Sequence, residues 1–519
     1  MPLPRGLHGA SALMQGRGME TQSFERSVSV FSSLPGPFLD HFFVDGEWRK
    51  PRSGAGHALV SQLNGQRLVI VADGSPVDMD DSVAAARRSF DSGIWSARSF
   101  SERAAVLKAI ADRLREHQTL AAELWTAQVA TTISFANYLI GQAADVFDYY
   151  ARLGQGMESS ESHVLGHGKA LVFNEPVGVV AIVTPWNAPL VLLAFSAAAA
   201  LLAGCSIVSK PSPESPLDGF LLAHCAGLAG LPAGVLNVVP AGAESGEHLV
   251  NHLGVDKISF TGSTAVGKSV GAMASARVAR CTLELGGKSA AIILEDADLV
   301  SALGHILPMS TPFSGQICFA LIRILVPHSR ANELASAYVE MVRGMRLGDP
   351  WNPETQMGPV VSARQQQRIL DYIESGKSSG ARLLVGGGRP KQHTQGYFVE
   401  PTVFSEVPLE ARIAQEEIFG PVVCFQTYQD EEEAIRIANG TSYGLSGAVF
   451  TADTERGLAL ARRMRSGSCG LNITNVQPEV PSGGFGQSGI GPIGGLEGLR
   501  SYQEPKTIYL PSEHSSSSI

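Results

Sequence analysis

The chain has 519 residues, too many for one compact core, and its 44% hydrophobic and 17% charged residues are ordinary for a globular enzyme of two or three domains. A net charge of −9 with no Lys/Arg run of five or more argues against nucleic-acid or acidic-membrane partners. Six scattered cysteines, with no CxxC pair and no His spacing that suggests zinc, exclude a disulfide framework and point to a reducing, cytoplasmic setting with no structural metal.

The first forty residues carry Gly, Ser and Pro without periodicity and no long apolar run. Residues 1–38 are therefore expected to be a disordered extension, or to precede a true start at Met14 or Met19, with Glu20 and Glu25 opposing a transit-peptide reading. FFVDGEWRK (residues 42–50) predicts a hairpin turning at Asp45-Gly46. Ser99-x-x-Glu102 has capping-box spacing ahead of an amphipathic helix whose Val106, Leu107, Ile110 and Leu114 share a face. The charge-free stretch Leu190–Ser209 is nearly long enough to span a bilayer, but its alanines, the stop at Gly204 and the β-rich SIVSK predict a buried helix running into a buried strand.

From Pro176 onward GVVAIVTP, SIVSKP, VLNVVP and KISFTG alternate with helical stretches, the pattern of a parallel sheet covered on both faces. Ligands bind beyond the carboxyl ends of such strands, which nominates Pro185-Trp186-Asn187, Lys210-Pro211, Thr261-Gly262-Ser263 and the ELGG of Glu284–Gly287. A second α/β series follows in AAIILED, IRILVP, FVEPTVF, PVVCFQTY and GAVFTAD. Between them lies a helix over 331–345 on which Leu334, Tyr338 and Met341 share a face. The SSSSI tail, 513–519, is expected to be loose.

Several residues carry candidate chemistry, each with a plainer alternative. Phe260–Gly267 follows a strand and opens a helix, which suits a pyrophosphate or is a simple turn. Lys210 either reaches ribose or phosphate or is a surface lysine. Asn187 either donates to an oxyanion or shapes a turn. Glu284, flanked by Thr and Leu, is a general base with a raised pKa or a strand-end ion-pair partner. Cys318, in SGQIC, is a nucleophile if amides or positive groups lower its pKa, or is core packing.

Together PWNxP, KPxxxxP, FTGSxxVG, ELGGKS, GQxC thirty-four positions after Glu284, and EEIFGPV (416–422) resemble the aldehyde dehydrogenase superfamily over roughly residues 40–510. The resemblance implies an α/β fold with a parallel-sheet dinucleotide-binding domain (39–152 and 176–286), an α/β catalytic domain (287–484) and a small oligomerisation flap (153–175 and 485–512). It implies a homodimer or homotetramer and NAD or NADP as cofactor, NAD favoured. It assigns Cys318 as the nucleophile that forms a thiohemiacetal and then a thioester. Asn187 with the Cys318 amide would hold the oxyanion, and Glu284 would activate the hydrolytic water. It implies cofactor contacts from Lys210 at the adenosine ribose, Gly262 and Ser263 at the pyrophosphate, and Glu417 and Phe419 at the nicotinamide end, with Trp186, Ser212, Glu214, Gly267 and Leu285 beside them. Ile317, Phe319, Trp186 and the 474–480 loop would line an apolar throat for an aliphatic, aromatic or terpenoid aldehyde.

The chain departs from the family pattern in places. Pro213 stands where a Glu often follows the ribose lysine, with Glu214 one place late. Phe313 replaces a common Asn, and Ser482, Gly486, Pro492 and Ile493 replace Phe, Lys, Arg and Glu near the C-terminus. The alternatives are a CoA-acylating relative, which the presence of Glu284 opposes, and a non-catalytic NAD-binding scaffold.

Overall fold

The computed structural model describes residues 21–166 and 168–511, so the expectations for 1–20 and for the 513–519 tail lie outside the described residues. Within the stretch expected to be disordered, residues 21–32 form a helix. Val30, Phe31 and Phe38 are buried in the core, and Trp351 Nε1 donates to Ser27 Oγ at 3.0 Å. The correction has a simple cause: a short face of small and apolar residues, Ser23-Ser27-Val30-Phe31, has a partner surface that is distant in sequence.

An eight-stranded sheet runs in the order Glu47–Arg49, Phe42–Val44, Leu236–Val238, Ser206–Lys210, Val179–Val183, Lys257–Thr261, Arg280–Glu284, Gly489–Ile490. Its five central strands are parallel; the hairpin at one edge and Gly489–Ile490 at the other are antiparallel. The hairpin turns where expected, with Asp45 and Gly46 both at positive φ (57° and 78°). From Val179–Val183 the chain moves outward to one side, then returns to build Lys257–Thr261 and Arg280–Glu284 on the other. The order reverses between Val179–Val183 and Lys257–Thr261, where a doubly wound sheet opens its ligand crevice.

The helix Pro189–Ala203 is buried over nearly its whole surface, stops at Gly204 (φ 101°) and feeds the buried strand Ser206–Lys210. No helix among the described residues is long and apolar enough to cross a membrane. Ser99 and Glu102 form the capping box of the helix Phe100–Glu116.

The second sheet has seven strands, in the order Arg382–Val385, Thr402–Ser405, Val422–Tyr428, Arg323–Pro327, Ala290–Ile293, Gly447–Phe450, Gly470–Leu471. Only Arg382–Val385 is antiparallel. In the helix Ala331–Arg343, Leu334 and Tyr338 are buried, but Met341 is exposed and Val342 takes its place. The buried stripe Leu334, Ala335, Tyr338, Val339 and Val342 is centred toward Val342, one turn beyond Tyr338, so Met341 falls at its edge.

A separate three-stranded antiparallel sheet pairs Ser160–Leu165, Gly168–Pro176 and Gln503–Pro511. The residues 485–490, grouped with the flap from sequence, instead clamp the body. Gly489 pairs with Glu284, and Leu285 N donates to Ser488 O at 2.8 Å.

Candidate active site

The first sheet presents its carboxyl ends to the site. The second presents its amino ends, because Cys318 and Glu417 each lie five residues before a strand start, at Arg323 and Val422. Glu284 ends Arg280–Glu284, and the next five residues carry the chain across to Ala290–Ile293.

The two glycines of ELGG make this crossing close. A Cβ on Gly286 would lie 2.2 Å from Glu417 Oε2, and one on Gly287 would lie 2.6 Å from the Cys318 carbonyl. Gly287 N donates to Glu417 Oε1 at 3.1 Å. Motifs 130 residues apart thus share one backbone contact, which only side-chain-free positions permit.

The nucleophile loop is built on a left-handed turn. Phe313, Ser314 and Gly315 follow one another at φ 47°, 55° and 70°. The first two are conformations that side chains disfavour by roughly 1–2 kcal/mol per residue. The surroundings hold the turn. Ser314 Oγ donates to Gly358 O at 2.6 Å, Gln316 Nε2 to Phe313 O at 2.9 Å, and Val361 N to Gln316 Oε1 at 3.0 Å. The Phe313 ring is buried edge-on against Trp125 and Trp186 (centroids 6.2 and 5.9 Å).

Asn187 is buried, and its Nδ2 donates to Gln316 O at 3.1 Å, two residues before Cys318. Its own carbonyl accepts from Trp125 Nε1 at 2.9 Å. The Asn187 side chain is thus held against the Cys318 loop, and its backbone is fixed by Trp125.

Glu284 is 8% exposed and its Oε1 has no hydrogen-bond partner. Burial pushes its carboxyl up to about 8, the direction a general base near neutrality requires. The Cys318 thiol is pushed up to about 12 by burial, then by the Glu417 and Glu284 carboxylates, while its own and the Phe319 amide act the other way. Amides thus contribute as expected, but acidic neighbours outweigh them, and the thiol rests protonated.

The cofactor candidates sit at or just beyond the carboxyl ends of first-sheet strands, or on the loop before Val422. Ser263 caps the helix Thr264–Ala276, its Oγ accepting from Val266 N at 3.4 Å, and Gly262 N donates to Glu284 O at 3.0 Å. Gly267 faces Leu285: a Cβ there would lie 2.2 Å from Leu285 Cδ2. Lys210 is buried, and its Nζ donates to the carbonyls of Ala241 (2.6 Å) and Pro211 (3.3 Å). Burial lowers its pKa to about 8, opposed by Glu214 and Asp73. Glu214 bonds the Ser212 hydroxyl, so the carboxylate displaced by one position still acts on Lys210. Glu417 is pushed up to about 7 by burial, with the Gly287 amide, Arg368 and Lys288 opposing. Phe419 (φ 60°) meets Trp186 edge-on at 5.4 Å, and its carbonyl accepts from Gln365 Nε2 at 2.7 Å. Contacts thus join Trp186 with Phe419, Glu417 with Gly287 and Gly267 with Leu285, while Lys210 ends the parallel strand beside Val179–Val183. A helix N-terminus, a buried lysine and a buried carboxylate at these positions fit an extended dinucleotide.

Sequence reading missed Trp125, Gln365 and the clamp at Ser488. Trp125 sits in a largely buried apolar helix and Gln365 on an amphipathic one, where such residues are unremarkable; Ser488 had a signal in the glycine-rich SGGFGQSG run.

The model of the aldehyde dehydrogenase family matches residues 48–508. A geranial dehydrogenase of Castellaniella defragrans is 42% identical over 474 residues, covering 91% of this chain and 98% of the relative. An aldehyde dehydrogenase of Mycobacterium tuberculosis solved with NAD+ superimposes with a TM-score of 0.90 at 40% identity, covering 92% and 99% of the two chains. The betaine aldehyde dehydrogenase of Staphylococcus aureus with NAD+ gives 0.91 at 34% identity, covering 95% and 98%. Site geometry and near-complete alignment lead to one conclusion: the chain belongs to the aldehyde dehydrogenase family, enzymes that oxidise an aldehyde to the acid with a nicotinamide dinucleotide.

Proposed function

We propose that Cys318, Asn187 and Glu284 carry the reaction in two stages. The Cys318 sulfur adds to the aldehyde carbon, its proton leaves, and the oxyanion is met by Asn187 Nδ2 and the Cys318 amide. The bound dinucleotide supplies the two-electron acceptor at the nicotinamide. Oxidation leaves a thioester on Cys318. Glu284 then takes a proton from water as the water oxygen attacks the acyl carbon, the C–S bond breaks, and the acid departs. The observation that carries this reading is the Asn187 Nδ2 contact with the carbonyl of Gln316 (3.1 Å), which ties an amide donor to the loop two residues before Cys318. The orphaned Oε1 of Glu284 favours water, rather than CoA, as the acyl acceptor.

Lys210, Ser212 and Glu214 would hold the adenosine ribose. Gly262, Ser263, Gly267 and Leu285 would cradle the pyrophosphate, and Trp186, Glu417 and Phe419 the nicotinamide end. Glu214 acting on Lys210 favours NAD over NADP, since a 2′-phosphate there would meet a carboxylate. The half-buried Ile317 and Phe319, with Trp186, favour an apolar aldehyde such as geranial over a cationic one. The test is initial rates at 340 nm with geranial, benzaldehyde and betaine aldehyde, each with NAD+ and NADP+. A kcat/KM for betaine aldehyde above that for geranial overturns the substrate reading. The absence of reduced cofactor from every aldehyde, with cofactor still bound, overturns the enzyme reading.

The first sheet with its helices (39–152, 176–286) is proposed as the dinucleotide-binding unit and the second (287–484) as the catalytic one. Exposed Val164, Leu165, Ile508 and Tyr509 suit the three-stranded sheet to self-association as a dimer or tetramer. Six free cysteines fit a cytoplasmic setting.

A further inference from the structure

Next to the ELGG crossing lies a small, partly open cavity. Lys288, the residue after Gly287, is 1% exposed, and its Nζ has no hydrogen-bond partner; the neighbouring Ser289 Oγ is buried and unpartnered as well. Both line a cavity of about 10 Å³, walled also by Arg323, Tyr443, Asn439 and Arg465. That volume is room for about one water-sized occupant.

The charge of this wall is one-sided. Three cationic side chains line it and no carboxylate does. Arg323 is spent on carbonyls: Nε donates to Lys288 O at 2.9 Å, and its two amino groups donate to Ile437 O and Ala438 O at 2.8 and 2.6 Å. Burial lowers the pKa of the Lys288 ammonium to about 8, with Cys424, Glu417 and Glu416 opposing and Arg323 adding to the fall, and its Nζ has no ion-pair or hydrogen-bond partner among the described residues. A buried ammonium left without a partner costs several kcal/mol. A small anion in contact with Nζ removes that cost, and the Ser289 hydroxyl supplies a second donor.

We propose that this cavity is a binding site for a single small monovalent anion of chloride size, held by Lys288 Nζ and Ser289 Oγ, with Arg465 at its exposed mouth. Its narrow interior favours a halide over phosphate or a carboxylate, and its charge opposes alkali cations. The site adjoins the reaction centre through Gly287, whose amide binds Glu417.

Thermal unfolding of the full chain at constant ionic strength, with gluconate replaced stepwise by chloride or bromide, tests this. The unfolding temperature should rise saturably with either halide, and the saturable part should vanish in Lys288→Met. Arg465→Gln, at an exposed position, should need several-fold more chloride to reach half its rise, which keeps the test decisive if Lys288→Met does not fold. A bromide-soaked crystal should show an anomalous peak beside Lys288 Nζ. A strictly linear salt response, an Arg465→Gln curve superposing on the parent, or a cavity holding only water overturns the assignment.

Discussion

Cys318 and Glu284 occupy surroundings that favour the protonated form of each, the state from which the proposed reaction must start. Apolar burial keeps both protonated near neutrality, with the thiol at about 12 and the carboxyl at about 8. Steady-state turnover limited by deacylation should therefore rise about tenfold per pH unit below 8 and level off above it, because only ionised Glu284 can accept the water proton. Stopped-flow traces across pH 6–9 check this, and a rate flat from 6.5 to 9 would exclude Glu284 as the base. Cys318→Ala should lose turnover by at least about a thousandfold while binding cofactor as the parent does, measured by fluorescence titration. Glu284→Gln should give one burst of reduced cofactor per active site and then stall, with the acyl group found on Cys318 by intact mass; continued turnover at the parent rate contradicts the role.

Phe313 sets two effects of opposite sign against each other. Replacing it with Asn relieves left-handed strain of about 1–2 kcal/mol, yet removes a buried ring packed on Trp125 and Trp186, a change that costs about 3–5 kcal/mol when a large aromatic is truncated. Packing wins by about 2 kcal/mol, so Phe313→Asn should lower the unfolding temperature. A variant more stable than the parent would mean that the strain is the larger quantity.

Among the elements, the helix Thr264–Ala276 depends on one close approach. Gly267 lets the helix lie against Leu285, and a methyl there would sit 2.2 Å from Leu285 Cδ2. Gly267→Ala should push Leu285 and the helix start apart and weaken dinucleotide affinity roughly tenfold, about 1.4 kcal/mol, leaving the secondary structure by circular dichroism unchanged. Unaltered affinity in a titration would show that Leu285 yields freely. The clamp of Gly489 on Glu284 acts at the same level: it closes the sheet edge at the strand that carries the base.

Across the whole molecule, the three-stranded sheet projects apolar groups that the monomer leaves in water, Val164 at 91% and Tyr509 at 74% exposed. The double variant Val164→Asp/Tyr509→Asp should sediment as a smaller species than the parent. Identical sedimentation coefficients would remove this sheet from the subunit contact.

Motif residues and the strands they terminate were legible from sequence because period-2 and continuous apolar runs report burial directly. Lys210, Glu284 and the Phe260–Gly267 turn lie at strand ends as read, and the hairpin at Asp45-Gly46 and the capping box at Ser99 were local chemistry. Three kinds of fact were not legible. The helix 21–32 pairs its small apolar face with partners hundreds of residues away, such as Trp351. Residues 485–490 look like flap but close a sheet edge, since a two-residue strand carries no periodicity. Trp125 orients Asn187 from a helix whose sequence records only that it is apolar. The sequence by itself determined which residues can do the chemistry and where each sits on its own strand or turn, because those depend on neighbours in the chain. The tertiary structure decided which of them meet, how far burial shifts Glu284, Cys318 and Lys210, and that Glu417 rests on the backbone of Gly287. Those depend on close approach and on exclusion of water, which the chain acquires only when its two sheets face each other.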